Sequence, residues 1–285
     1  MGQRVAIVYQ PGIPDAQKLA QRCAQYVAQR GHEPELHSSW SLGPESPDEG
    51  LTLAIAFGGD GSTLRLARWL ARSQVPIVGV KMGRLGFLAE LQPADLFESL
   101  DPYLAGDYWL DERSMLQATL LPALSPHAAP PPSRSVNGAL PLIALNDVVV
   151  SRGAAGRAVR VVVEVDGTEL ARYTADGIIV ATATGSTAYS YAAGGPILMP
   201  ELPNLVVTAI CPHIHGLNGL VLPPEMAVTV RVSTPQPATC SLDGHIDLPL
   251  ADGEGVVVRT AAERTRFARR GRRSDFYRSL LDKLR

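Results

Sequence analysis

Three glycines and one carboxylate stand together in Phe57-Gly58-Gly59-Asp60-Gly61-Ser62-Thr63-Leu64. The apolar run Leu51–Phe57 before them reads as a buried strand. Thr63–Ser73 after them reads as a helix, with Leu64, Ala67, Leu70 and Ala71 on one face. Glycines at such a junction let the backbone turn tightly and approach a ligand with no Cβ in the way. The helix start adds unpaired N–H groups and the positive end of a dipole, so Gly58, Gly59, Gly61 and Ser62 form a candidate phosphate cradle. Asp60 is out of place there, because a bare carboxylate repels phosphate. It needs a metal ion or a hydroxyl proton beside it, and both arise in phosphoryl transfer to an alcohol. The alternative is that Asp60 only caps the helix, a frequent task for aspartate. Arg65, one turn further on, either reaches a phosphate held at the turn or is a solvated helix-surface charge. The spacing matches neither the Walker pattern nor the dinucleotide fingerprint.

Other segments carry chemistry of a different kind. Lys81 opens a second glycine loop, Lys81-Met82-Gly83-Arg84-Leu85-Gly86-Phe87-Leu88, in a chain with 26 basic residues of which only Lys18, Lys81 and Lys283 are lysines. Its ammonium either contacts a phosphoryl donor or points to water. Asn146-Asp147 offers a donor and acceptors to a base or ribose edge, or is simply a turn. Gly185-Ser186-Thr187-Ala188-Tyr189 supplies hydroxyls, free N–H groups and an aromatic face, which are the groups that an adenine and its ribose need. A helix start capped by Ser or Thr is the other reading of that stretch. Pro212-His213-Ile214-His215 lacks a nearby third ligand, so no metal role is assigned to it.

The elements that must position these groups divide the chain in two. Val5–Tyr9, a helix over Asp15–Arg30 closed by Gly31, Leu51–Phe57, the helix after the glycine turn and Pro76–Val80 alternate as strand and helix. That order predicts a parallel sheet flanked by helices, with one more helix at Asp95–Ala105. Residues 38–50 read as a loop. After about residue 110 the runs are short, β-rich and punctuated by Pro, Gly and Asn: Met115–Leu121, Ile143–Ser151, Val159–Asp166, Glu169–Thr174, Ile178–Ala183, Leu205–Ile210, Ala227–Val232, Thr239–Leu242 and Gly255–Thr260. They predict an all-β, sandwich-like half with at most one helix, near Thr187–Gly194, and an Asp166-Gly167 hairpin turn. Residues 122–141, with Pro130-Pro131-Pro132, read as a hairpin insertion. The arginine-rich tail from 263 reads as a charged turn into a terminal helix rather than as a basic arm for nucleic acid, because the chain as a whole is not basic.

Composition narrows the function classes. With 46% hydrophobic and 19% charged residues the chain is globular, and a net charge of −2 gives no reason to expect nucleic acid or a membrane as partner. Cys23, Cys211 and Cys240 form neither a disulfide framework nor a zinc pattern, which fits a reducing cytoplasm.

Gly58-Gly59-Asp60-Gly61 resembles the signature shared by NAD kinases, diacylglycerol-type lipid kinases and, more loosely, phosphofructokinases. Lys81–Leu88 resembles the Asn-x-Gly-x-Leu-Gly-Phe-Leu stretch of NAD kinases, with Lys81 where that family usually has Asn. Leu145–Val149 resembles the family's Asn-Glu/Asp pair. The longest likeness runs from Thr174 through Ile197, in which Ala183 replaces the usual proline. The resemblance implies an α/β domain over 1–110, completed by a helix within 262–285 that returns to it, and a β-sandwich NAD-binding domain over 111–261. It implies phosphorylation of the adenosine ribose 2′-hydroxyl of NAD by ATP or polyphosphate, with Asp60 as general base and Mg²⁺ on the donor. Besides Asp60, Gly61, Arg65, Asn146 and Asp147, it places Thr187, Ala188 and Tyr189 on the adenosine, with Ser190 and Ala192 lining the same pocket. Asp176 is implied at the nicotinamide carboxamide, often across a subunit boundary, so a homodimer or homotetramer is expected. Arg157 and Thr174 fall at positions the family varies, and His245 at a site often held by Gln.

Overall fold

In a computed structural model, residues 2–43, 47, 49–83, 86–123, 142–153, 158–213, 219–233 and 237–284 are described. They form two compact units: Met1–Glu112 with Arg264–Arg285, and Arg113–Glu263. Most of the insertion expected at 122–141 lies outside the described residues.

In the first unit, β1 (Arg4–Tyr9), α1 (Pro14–Gln29), β2 (Glu33–Ser38), β3 (Leu51–Gly58), α2 (Asp60–Trp69), β4 (Ile77–Lys81) and α3 (Leu96–Leu104) follow in order. The strands pair in parallel in the sequence β2-β1-β3-β4. Such strands are covered on their faces by helices, so β1, β3 and β4 read as unbroken apolar runs. Val5, Ile7, Leu53, Ile55, Phe57, Val78 and Val80 meet Leu19, Cys23 and Val27 of α1 and Leu96, Leu100 and Leu104 of α3 in one core. Each large side chain buried there contributes about 1.5–3 kcal/mol. Strand β2 is absent from the sequence expectation. It lies at the sheet edge, carries Pro34 and is mostly polar, so it shows neither alternation nor an apolar run.

In the second unit β5 (Trp109–Leu121) from Arg113 on, β6 (Leu142–Ala144), β7 (Asp147–Arg152), β8 (Val159–Val165), β9 (Thr168–Ala175), β10 (Gly177–Thr182), the single turn α4 (Tyr189–Ala192), β11 (Leu205–Ile210), β12 (Leu220–Leu222), β13 (Val228–Val232), β14 (Ala238–Leu242), β15 (Ile246–Leu250) and β16 (Gly255–Arg269) as far as Glu263 build two antiparallel layers. One layer runs β12-β11-β10-β7-β14-β15, and the other contains β16-β13-β8-β9. Val148, Val150, Ile178, Val180, Cys240 and Leu242 of the first layer share a core with Val161, Val163, Val228, Val230, Val256 and Val258 of the second. This is the sandwich that short alternating strands predict. Strand β10 is buried along its whole length, because Ile179 and Ala181 on its other face pack with Val149, Val206, Ala193 and Leu198. Asp166 and Gly167 both take positive φ, 47° and 78°, as a two-residue hairpin between β8 and β9 requires.

Two expectations are corrected. The helix near Thr187–Gly194 is only a 3₁₀ turn, Gly185–Thr187, followed by α4. The tail is strand as far as Arg269, with Thr265, Phe267 and Arg269 buried and Arg264 and Arg266 facing outward. That period-two pattern is masked in the sequence by the density of arginines. Val256–Val258 pair with β13 in the second unit, and Phe267 pairs with Ile77 in the first. The terminal helix α5, Asp275–Leu284, belongs to the first unit. Among the described residues no helix is long and apolar enough to cross a membrane.

Candidate active site

In the first unit the glycine turn is assembled at the end of β3. Gly58 closes the strand, Gly59 is the extended residue before α2, and Asp60 is the first residue of the helix. Asp60 is therefore not the helix cap, and no side chain caps α2. At this start the Ser62 and Thr63 N–H groups donate to the Gly59 carbonyl at 3.1 and 3.4 Å, and the N–H groups before them lie ahead of the first intrahelical bond, where an anion can take them. Gly58 is needed for a second reason: a Cβ there would lie 2.5 Å from Ser62 Oγ. That hydroxyl donates to Gln10 Oε1 at 2.8 Å, and Ser39 Oγ donates to the same oxygen at 2.9 Å. Ser62 was expected in the phosphate cradle, but its buried hydroxyl ties α2 to the end of β1.

The Asp60 carboxylate has partners of its own. Phe87 N–H donates to Oδ2 at 2.9 Å and Leu88 N–H to Oδ1 at 3.2 Å. The residue before them, Gly86, admits no side chain, since a Cβ would fall 2.0 Å from Oδ1. The two glycine loops noted in the sequence thus work as a pair, the second fixing the direction of the carboxylate in the first. Both oxygens keep lone pairs for an incoming hydroxyl proton. Lys81 stands opposite Gly58 in the parallel ladder, and Met82 N–H donates to the Gly58 carbonyl at 3.1 Å. Arg65 is half-buried in α2, and Gly61 is exposed. Arg84 and Leu85 lie outside the described residues.

In the second unit a cavity of about 480 Å³ is lined by Asn146, Asp147, Ala188 and Tyr189 together with Val149, Ser151, Thr239, Ser241, Asp243, Gly244 and Asp247. Four residues expected at the nucleoside thus share one wall system. Their approach depends on Gly185, where a Cβ would come within 2.0 Å of the Asn146 carbonyl oxygen. Thr182 Oγ1 locks the same junction, donating to the Leu145 carbonyl at 2.7 Å and accepting Gly185 N–H at 3.0 Å.

Asp243 is the residue that sequence reasoning missed. Its carboxylate accepts N–H from Leu145 (2.9 Å), Asn146 (2.8 Å) and Asp147 (3.2 Å), and so presents the Asn-Asp pair to the cavity. Its only sequence signal is Asp243-Gly244, which reads as a hairpin turn and is one, with φ of 51° and 63°. Burial, and then the Asp243 charge, push the Asp147 carboxyl up to about 7. The folded chain therefore holds the Asp147 proton more tightly than the unfolded chain does. Stability from this group is complete below about pH 4 and is lost as pH rises through about 7. At about 1.4 kcal/mol per pKa unit the change is of order 4 kcal/mol. Asp147→Asn, uncharged at every pH, is expected to melt increasingly above wild type as pH goes from 5 to 8. A difference in melting temperature that stays flat over this range would refute the assignment.

The remaining expected residues are placed less directly. Thr187 is half-buried and its hydroxyl donates to the Thr184 carbonyl at 3.2 Å. Ser190 is fully buried with its hydroxyl on Thr208 Oγ1 at 2.9 Å, and Ala192 is exposed. Neither is among the residues that line this cavity; α4 is one turn long, and Ser190 lies in the core while Tyr189 lines the cavity. Thr174 is exposed at the end of β9. Asp176 pairs with Arg152 at 3.4 Å. His245 is half-buried on the β14–β15 hairpin beside Asp243 and Gly244. Arg157 and His215 lie outside the described residues. Among the described residues no three His, Cys, Asp or Glu side chains cluster as metal ligands.

Family models match most of the chain: ATP-NAD kinase N-terminal domain over residues 17–108 and ATP-NAD kinase C-terminal domain over 145–270. An NAD kinase of Dehalococcoides mccartyi is 37% identical over 286 residues, spanning 100% of this chain and 97% of its own. An NAD kinase of Heliobacterium modesticaldum is 40% identical over 291 residues, spanning 98% of both. Among solved structures, yeast NADH kinase complexed with NADH superposes with a TM-score of 0.80 at 22% identity, over 99% of this chain and 87% of that one. An NAD kinase from Archaeoglobus fulgidus in complex with ATP superposes with a TM-score of 0.76 at 23% identity, over 99% and 98%. At these identities the two structures show a shared fold.

Proposed function

Because this chain belongs to the NAD kinase family, whose reaction is the phosphorylation of NAD to NADP, we propose that Asp60 is the general base for its adenosine ribose 2′-hydroxyl. The observation that carries this role is a carboxylate held by two backbone N–H groups at the mouth of a glycine turn. As the 2′-oxygen attacks the terminal phosphorus of ATP, its proton passes to Asp60. The new O–P bond forms as the bond to the β-phosphate oxygen breaks, and ADP leaves with that electron pair. N–H groups of the turn hold the donor oxygens without a Cβ in the way. Because both oxygens are anchored, the carboxylate acts by position.

A divalent cation such as Mg²⁺, when bound, would supply neutralisation of the charge on the phosphoryl donor. A magnesium ion takes few protein ligands and keeps water and phosphate oxygens in its shell. In the second unit Asn146, Asp147, Ala188 and Tyr189 bind the adenosine, supported by their shared cavity. The family resemblance supports Asp176 at the nicotinamide carboxamide across a subunit boundary, and with it a homodimer or homotetramer. Three cysteines free of disulfides support a cytoplasmic enzyme.

Purified protein supplied with NAD, Mg²⁺ and ATP is expected to form NADP, read by a dehydrogenase specific for that product. Parallel reactions with polyphosphate decide whether it also serves as donor. Saturable NAD binding with no NADP from either donor would sink the enzymatic reading in favour of an NAD sensor.

A further inference from the structure

The first unit contains a buried ion cluster that the transfer chemistry does not touch. Arg269, the last residue of β16, donates through Nη1 to the Leu88 carbonyl and to Glu90 Oε2, both at 3.1 Å, and through Nε to Asp111 Oδ2 at 3.3 Å. Arg269 and Asp111 are both buried. The other Glu90 oxygen accepts N–H from Arg270 and Gly271, each at 2.8 Å. The segment this cluster grips is already pressed onto β4. Glu90 and Leu91 N–H both donate to the Gly79 carbonyl at 2.9 Å, and a Cβ on Gly79 would lie 2.8 Å from the Ala89 Cα.

Leu88 is held at both ends of its backbone: its carbonyl by Arg269 and its N–H by Asp60. A buried ion cluster adds little net stability against an apolar replacement of the same shape, because desolvation offsets the attraction. What it supplies is a fixed geometry, and the geometry it fixes is that of residues 86–90.

We propose that Arg269 is a positioning residue for Asp60, acting through the Leu88 carbonyl to hold the Phe87 and Leu88 N–H groups that aim the carboxylate. This rests on the reading of Asp60 as the base. A guanidinium reaches the carbonyl and two carboxylates from one plane, whereas an ammonium cannot serve all three in that arrangement. Arg269→Lys keeps the charge and so separates positioning from a simple loss of balance in the cluster.

The test combines steady-state kinetics of full-length Arg269→Lys with amide hydrogen exchange. The expected result is a kcat about tenfold lower, as loosened alignment costs rate, with KM for NAD and ATP within about twofold of wild type. Exchange of the Phe87 and Leu88 amides should accelerate about tenfold or more while amides of the second unit keep their protection. If Arg269→Lys fails to fold, Glu90→Gln removes one carboxylate charge from the arginine and should shift kcat and the same two amides in the same direction by less. Wild-type kcat, or unchanged Phe87 and Leu88 exchange, in the folded variant overturns the proposal. An active Asp60→Asn enzyme defeats the base reading instead, so the two failures are told apart.

Discussion

Asp60→Asn is expected to lower kcat by about 10²–10⁴-fold, the contribution typical of a positioned general base, while NAD binding is kept. The change is nearly isosteric. One oxygen still accepts a backbone N–H, but the amide nitrogen faces the other N–H of the Phe87–Leu88 pair, donor against donor. That costs about 1–3 kcal/mol of local hydrogen bonding, too little to unfold the first unit. The loss therefore belongs to the chemistry. NADP formation and titration of NAD in the absence of donor measure the two quantities separately. A rate within tenfold of wild type, or a loss confined to NAD affinity, would remove Asp60 from the base role.

Gly86→Ala is expected to cost nearly as much without altering any reactive group. The added methyl carbon would lie 2.0 Å from Asp60 Oδ1 and 2.6 Å from Cγ, well inside contact distance. Either the carboxylate swings away or the 86–88 backbone retreats, and both break the bonds that aim it. A misplacement of about 1 Å near a reacting centre can cost about 10²-fold in rate, so kcat should fall by roughly that factor. The melting temperature should fall by only a few degrees, because the clash is confined to one surface turn. Full activity in this variant would mean that Asp60 does not need the orientation found here. Its effect should not multiply with that of Asp60→Asn, since both act on one carboxylate.

The two predictions draw on different kinds of information. Asp60 stands out in the sequence because its charge contradicts the glycine turn around it, and charge is written in residue type. Gly86 is also visible, but only as part of a loop of unexplained purpose. That its missing side chain makes room for Asp60, 26 positions earlier, appears only in the folded chain. The same holds for Asp243. Three backbone N–H groups, nearly a hundred residues earlier, converge on it, and a backbone N–H carries no residue-type signature.

The fold was legible where burial is two-sided or strictly alternating. Strands β1, β3 and β4, the helices between them and the short strands of the sandwich all carry such patterns. The misreadings have specific causes. Strand β2 lies at an edge and is polar, so no apolar pattern marks it. The last residues of β16 alternate, but Arg269 occupies a buried position and so disguises the inward face. The partners of the Ser62 and Ser190 hydroxyls, too, could not be known from residue type. In the structure each is consumed inside, on Gln10 and on Thr208.

The sequence by itself determined the α/β and β-sandwich halves and the kinase family, and it singled out the Asp60 carboxylate. The two halves follow from local periodicity and the family from the resemblance of short motifs, and both are one-dimensional. Tertiary structure alone decided what holds that carboxylate. Its direction depends on N–H groups 27 and 28 residues away, and their strap on an arginine 181 residues from Leu88. Contacts of that range exist only once the chain has closed on itself, because what they require is distance and direction in space.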